Sequence, residues 1–190
     1  MKRKLTENLY VHEFATSNGE LNIDIAYLLA LQAFRSWLGV PLYFGKGCGC
    51  RANASNSAHD IYMTSGKYSP AKQLITIPAT GSDPHAKDTD SWGLMEKVEK
   101  WIDDMNDGLV IWESISDDIL SLIDNPIFTG RGVYNNSNSG FVHLDMGHRS
   151  LNPAIRAKRK GVVRWVRVKG MYHYARDGEG FSDMRGRLGL

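Results

Sequence analysis

Two cysteines in 190 residues, Cys48 and Cys50, are too few for a disulfide framework. One residue separates them, which closes a poor disulfide loop, and a Cys-x-Cys pair alone is two ligands short of a structural zinc site. We read both as reduced thiols in a protein made in the cytoplasm. Long apolar runs are also lacking. The longest, around Ala26 to Ala33, falls well short of the ~20 residues a bilayer span needs and is interrupted by Gln32. No apolar stretch follows the basic start Met1-Lys2-Arg3-Lys4, so no secretory leader is expected. The glycine-rich segment Gly45 to Arg51 never becomes the Gly-x-x-x-x-Gly-Lys-Ser/Thr of a phosphate loop. No internal repeat is legible.

What remains has the composition of a water-soluble globular chain, 42% hydrophobic and 23% charged, and its length suits one domain with a real core. The net charge of +2 hides an asymmetry. From Ile155 onward ten Lys and Arg stand against three acids, which leaves thirteen basic and eighteen acidic residues before that point. A basic tail can hold an anionic polymer, nucleic acid or a wall polymer, and basic side chains also blunt an exposed sheet edge. We therefore divide the chain into residues 1–154 and a basic hairpin and tail, 155–190, belonging to the same unit.

Asn22 is a candidate cap for a helix with Ile23, Tyr27, Ala30, Phe34 and Trp37-Leu38 on one face, stopped by Gly39 and Pro41. Val40 to Phe44 and Gln73 to Ile77 read as strands. Asp90 or Ser91 caps a second amphipathic helix, with Leu94, Met95, Val98, Trp101, Ile102 and Met105 inward and Glu96, Lys97, Glu99, Lys100 and Asp103 outward. Leu109 to Trp112 reads as a buried strand and Ser116 to Ile123 as a short helix. Val162 to Val168 and Met171 to Ala175 flank Lys169-Gly170 as a β-hairpin, and the glycine-rich end, Asp177 to Leu190, reads as loose.

The stretch Gly130 to Arg149 carries the chemistry. Phe141-Val142-His143-Leu144-Asp145 reads as a strand after an Asn/Ser/Gly turn. Alternation sends Val142 and Leu144 to the core and sets His143 beside Asp145 on the other face. An imidazole and a carboxylate so placed suit metal binding or proton transfer, and spacing alone is equally consistent with a solvated sheet face.

Gly130-x-Gly132-x-Tyr134, a turn, then Phe141-Val142-His143-x-Asp145-x-Gly147-x-Arg149 resembles the second motif of the D-alanyl-D-alanine metallopeptidases, zinc enzymes of the Hedgehog/DD-peptidase fold found in bacteria and as phage lysins. The stretch covers roughly a tenth of the chain. The resemblance implies an α+β fold, an antiparallel sheet flanked by helices with a C-terminal β-hairpin extension, and makes His143 a Zn²⁺ ligand. It also reads Glu13-Phe14-Ala15, the first helix, Gly39-Val40-Pro41, a strand and Cys50-Arg51-x-Asn53 as the family's preceding order, with Arg51 the substrate-binding arginine; Thr64-Ser65-Gly66 is a rival register without the arginine.

The family's first zinc motif is Ser-x-His-x-x-Gly-x-Ala-x-Asp. Its nearest counterpart is His85 followed by Asp88 and Asp90, shorter by two and without the glycine, and we take His85 and Asp90 as the ligands. The segment is also consistent with a polar turn capping the next helix. His59, in Ser57-x-His59, has no carboxylate at the family's spacing and reads as a solvated loop residue. The Glu that many relatives carry three before the second histidine is Gly140 here, so Asp145 is the nearest base, or else a group that orients a ligand. By this resemblance the chain is a zinc-dependent peptidase of peptidoglycan, phage-encoded and acting on the wall or in the virion. The alternative is a non-catalytic phage structural or wall-binding protein on the same fold. Nucleic acid is the weaker partner, and no membrane span is expected.

Overall fold

The computed structural model describes residues 3–11, 25–39, 43–44, 71–76, 91–107, 127–135, 141–149, 157 and 160–190. It is an α+β fold with three helices among those residues: α1 (Ile25–Leu38), α2 (Ser91–Asn106) and α3 (Phe181–Leu188). The strands are β1 (Tyr43–Phe44), β2 (Ala71–Thr76), β3 (Gly130–Asn135), β4 (Phe141–Asp145), β5 (Val163–Val168) and β6 (Met171–Tyr174), with a 3₁₀ turn at Gly147–Arg149. They form one sheet in the order β1-β2-β4-β3-β5-β6.

The sheet is mixed, where a wholly antiparallel one was expected. β3 and β4 pair antiparallel, as do β2 and β4, but β5 lies parallel to β3, Gly130 opposite Val163 through Asn135 opposite Val168. The C-terminal hairpin is therefore not an appendage. Its first strand is an interior strand of the sheet, and only β6 lies at the edge. The hairpin turns at Lys169 (φ 49°) and Gly170 (φ 84°), and two consecutive left-handed residues match the twist of the strands they join.

α2 packs on β3 and β4, and α1 and α3 pack against α2. α1 is almost wholly apolar and contributes Ala26, Tyr27, Leu28, Ala30, Leu31 and Phe34 to the core. It ends where Gly39 (φ 73°) donates its N–H to the Arg35 carbonyl, a left-handed position that glycine takes without steric cost. Gln32, the polar break in this helix, is buried but bonded: its Oε1 accepts from Thr6 Oγ1 and from the Asn8 N–H, and its Nε2 donates to Ser36 Oγ. These bonds tie the first segment, with buried Leu9, onto α1.

α2 turns Trp92, Leu94, Met95, Val98, Trp101 and Ile102 inward, as its periodicity predicts, and exposes Glu96, Lys97, Lys100 and Asp103. Val133, Val142, Leu144 and Val166 meet the helices from the sheet. The expected strand over 109–112 and helix over 116–123 lie outside the described residues. α3 replaces the loose tail read from the sequence, with Phe181 and Met184 buried in the same core.

No helix among the described residues is long and apolar enough to cross a membrane.

Candidate functional site

β4 lies between β2 and β3, and its alternation falls as the sequence indicates. Val142 and Leu144 are fully buried against the helices, and His143 and Asp145 share the opposite face. A rigid support stands behind them. Trp101 packs against Phe34 at 5.4 Å and Phe128 at 6.1 Å, and Phe128 meets Tyr27 edge-on at 5.7 Å. The Tyr27 hydroxyl then donates to the Leu144 carbonyl at 3.3 Å, between the two functional side chains. Across β2 the register shifts between Gln73 and Ile75, opposite His143 and Val142. Such a bulge locally re-aims a strand, and bulges recur beside functional sites.

His143 Nε2 and Asp145 Oδ2 are 2.9 Å apart. The Asp145 carboxylate is wholly buried, and its other oxygen accepts the Gly147 N–H at 2.8 Å. A carboxylate held at both oxygens fixes the imidazole's orientation and favours the tautomer with its proton on Nε2, which puts the ring's lone pair on Nδ1. The imidazole also lies against the Trp165 indole, ring centroids 5.0 Å apart.

The two glycines of the motif acquire a reason here. Gly130 is the register partner of Asp145 and Gly132 that of His143 on one side and Trp165 on the other. A Cβ at Gly130 would overlap the Asp145 carboxylate, and one at Gly132 would overlap the Trp165 indole. Both glycines are clearance for the rings and the carboxylate of the site. Trp165 and the N–H of Gly147 were not legible as site residues. Trp165 lies in what reads as a basic hairpin and tail of the same unit, and only its pairing with β3 brings it to His143.

His148 lies in the turn after Asp145, its Nδ1 3.0 Å from Thr129 Oγ1. Arg51, His59, His85, Asp88 and Asp90 lie outside the described residues, as do Cys48 and Cys50. Of the candidate site residues, the structure thus brings together His143 and Asp145. Among the described residues no three His, Cys, Asp or Glu side chains gather into a metal set.

Comparison with protein families, with curated proteins and with solved structures finds no match to the chain.

Proposed function

We propose that the chain is a zinc-dependent peptidase acting on the peptide bonds of peptidoglycan, on a Hedgehog/DD-peptidase-like fold. The observation that carries this reading is the His143–Asp145 pair. An imidazole on a rigid strand, oriented through Nε2 by a wholly buried carboxylate, is the arrangement in which histidines serve metals. The donor type suits Zn²⁺, and His85 and Asp90 are the further protein ligands in this reading, with Arg51 steadying a carbonyl oxygen or a substrate carboxylate. Zinc held by three protein groups would supply a bound water of pKa near ~7 and polarise the scissile carbonyl.

Asp145 serves as a positioning residue. With both oxygens engaged and no exposure, it holds the tautomer and direction of His143 rather than taking a proton from water. The substrate class follows from the resemblance of the Gly130-to-Arg149 motif.

The test is to strip the purified protein of metal, add one equivalent of zinc, and follow release of peptides from purified cell walls. Zinc-dependent release is the expected result. Failure to take up zinc ends the reading, and wall binding without cutting would make the chain a non-catalytic module of the same architecture.

A further inference from the structure

The sheet face that carries His143 continues beyond it. Register partners run across the strands in two rows, His143, Gly132, Trp165 and Tyr174 in one and Tyr134, Arg167 and Tyr172 in the other. Residues directly opposite one another project to the same side of a sheet. The rows emerge from cover at β6, the edge strand, where Tyr172 is 49% and Tyr174 60% exposed. Neither belongs to the hydrophobic core, so core packing does not account for them. Two residues apart on one strand, the two phenols repeat at about 7 Å.

Arg167 is fixed between two of these rings. Its guanidinium carbon is 5.9 Å from the Tyr134 ring centroid and 5.3 Å from that of Tyr172, and the rings meet edge to face at 6.1 Å. Its Nε is buried without a hydrogen-bond partner, and among the described residues Arg167 joins no ion pair. A guanidinium held by aromatic rings and without an ion pair among the described residues is chemically suited to receive an anion.

We infer that this strip is the docking track for the polymer on which the proposed peptidase works: a polysaccharide strand whose sugar faces lie on Tyr172 and Tyr174 and whose peptide-borne carboxylate reaches Arg167. The inference rests on the peptidase reading and adds to it where the substrate's glycan part sits. Three observations favour a glycan over a nucleic acid. The row of rings leads back, partner by partner, to His143. The exposed rings are phenols, whose hydroxyls both donate to and accept from sugar hydroxyls. One ring-held cation accompanies the phenols, rather than a line of cations tracking a phosphate backbone.

The experiment is co-sedimentation of the full chain with purified insoluble peptidoglycan in the presence of a chelator, so that binding is read without zinc. Tyr172→Ala/Tyr174→Ala should weaken binding by about tenfold or more, and Tyr172→Phe/Tyr174→Phe should retain most of it. Both side chains are exposed, and an unchanged melting temperature checks that each variant is folded. Equal sedimentation of the alanine variant overturns the inference. So does displacement by a single-stranded DNA oligonucleotide at lower concentration than by soluble wall fragments, which would make the strip a nucleic-acid surface. Zinc uptake is measured separately on the same proteins. A parent chain that takes up no zinc ends the peptidase reading, while tyrosine-dependent wall binding would still stand.

Discussion

A methyl group added at Gly132 would have to enter the Trp165 indole, against which the His143 imidazole lies. Neither ring can yield without disturbing the other, so Gly132→Ala should destabilise the protein by about 1–3 kcal/mol, read as a lower urea midpoint at unchanged slope. Asp145→Asn is a test of a different kind. It keeps the shape but has one acceptor oxygen for two donors, the His143 ring N–H and the Gly147 N–H. We expect a loss of about 1–3 kcal/mol in stability and, if His143 holds zinc, a fall of roughly 10–100-fold in zinc affinity by competition with a chromophoric chelator. At this scale the sequence is half legible. Strand alternation is enough to put His143 and Asp145 on one face, because a period of two needs no knowledge of neighbours. Why residues 130 and 132 must be glycine depends on what lies across the strands, and pairing is a long-range property.

α3 shows what short elements conceal. Eight residues flanked by Gly180 and Gly189, with Gly186 inside, give periodicity little to work on, and only Phe181 and Met184 are buried. The helix is set by its ends. Asp183 accepts the Gly180 N–H at 2.9 Å, and Gly189 (φ 65°) closes the last turn on the Arg185 and Gly186 carbonyls. Phe181 meets Trp92 of α2 at 6.4 Å, so Phe181→Ala should cost about 3–5 kcal/mol and change the tryptophan fluorescence. A clasp outside the core ties the helix to the hairpin. Glu179 accepts from Arg187 Nε at 2.6 Å and from the Arg176 N–H at 2.8 Å, and Arg187 also donates to the Tyr174 carbonyl. These bonds, that from Arg187 first, hold the Glu179 carboxyl down to about 2 from its ordinary 4.5. A pKa lower in the folded state means that the clasp's contribution is complete above about pH 4.5 and is lost as pH falls towards 2. Glu179→Gln should remove that part of the acid dependence, seen as a flatter melting temperature against pH over that window.

Among the described residues α2 packs on one face of β3 and β4, with α1 and α3 against it, and His143 and Asp145 project from the other face. The helix stripes and the inward strand residues could be read from periodicity; the parallel pairing of β3 with β5 could not, because alternation says which way a side chain points and nothing about which strand lies beside it or in what direction. That pairing explains the one residue whose placement on α2 the periodicity misjudged. Glu99, assigned to the polar face, is only partly exposed and its Oε1 accepts from Arg131 Nη1 at 2.8 Å and Arg164 Nε at 2.7 Å. Those arginines come from the two parallel strands and are register partners on the face towards the helices. Arg131 is 4% exposed, its Nε donates to the Phe128 carbonyl, and burial pulls its pKa below the usual arginine value. A guanidinium in that position stays charged and needs its carboxylate. Glu99 thus joins α2 to the β3–β5 seam, and Glu99→Ala should cost about 3–5 kcal/mol by stranding a buried cation. Lys100→Ala, one residue along, breaks only the exposed pair with Asp104 at 2.8 Å and should cost about 0.3–0.5 kcal/mol. Urea denaturation of the two variants side by side decides the matter: equal midpoints would mean that the seam is held by its hydrophobic contacts alone, and a deficit confined to Glu99→Ala would place the ion triad among the interactions that hold the basic hairpin in the sheet.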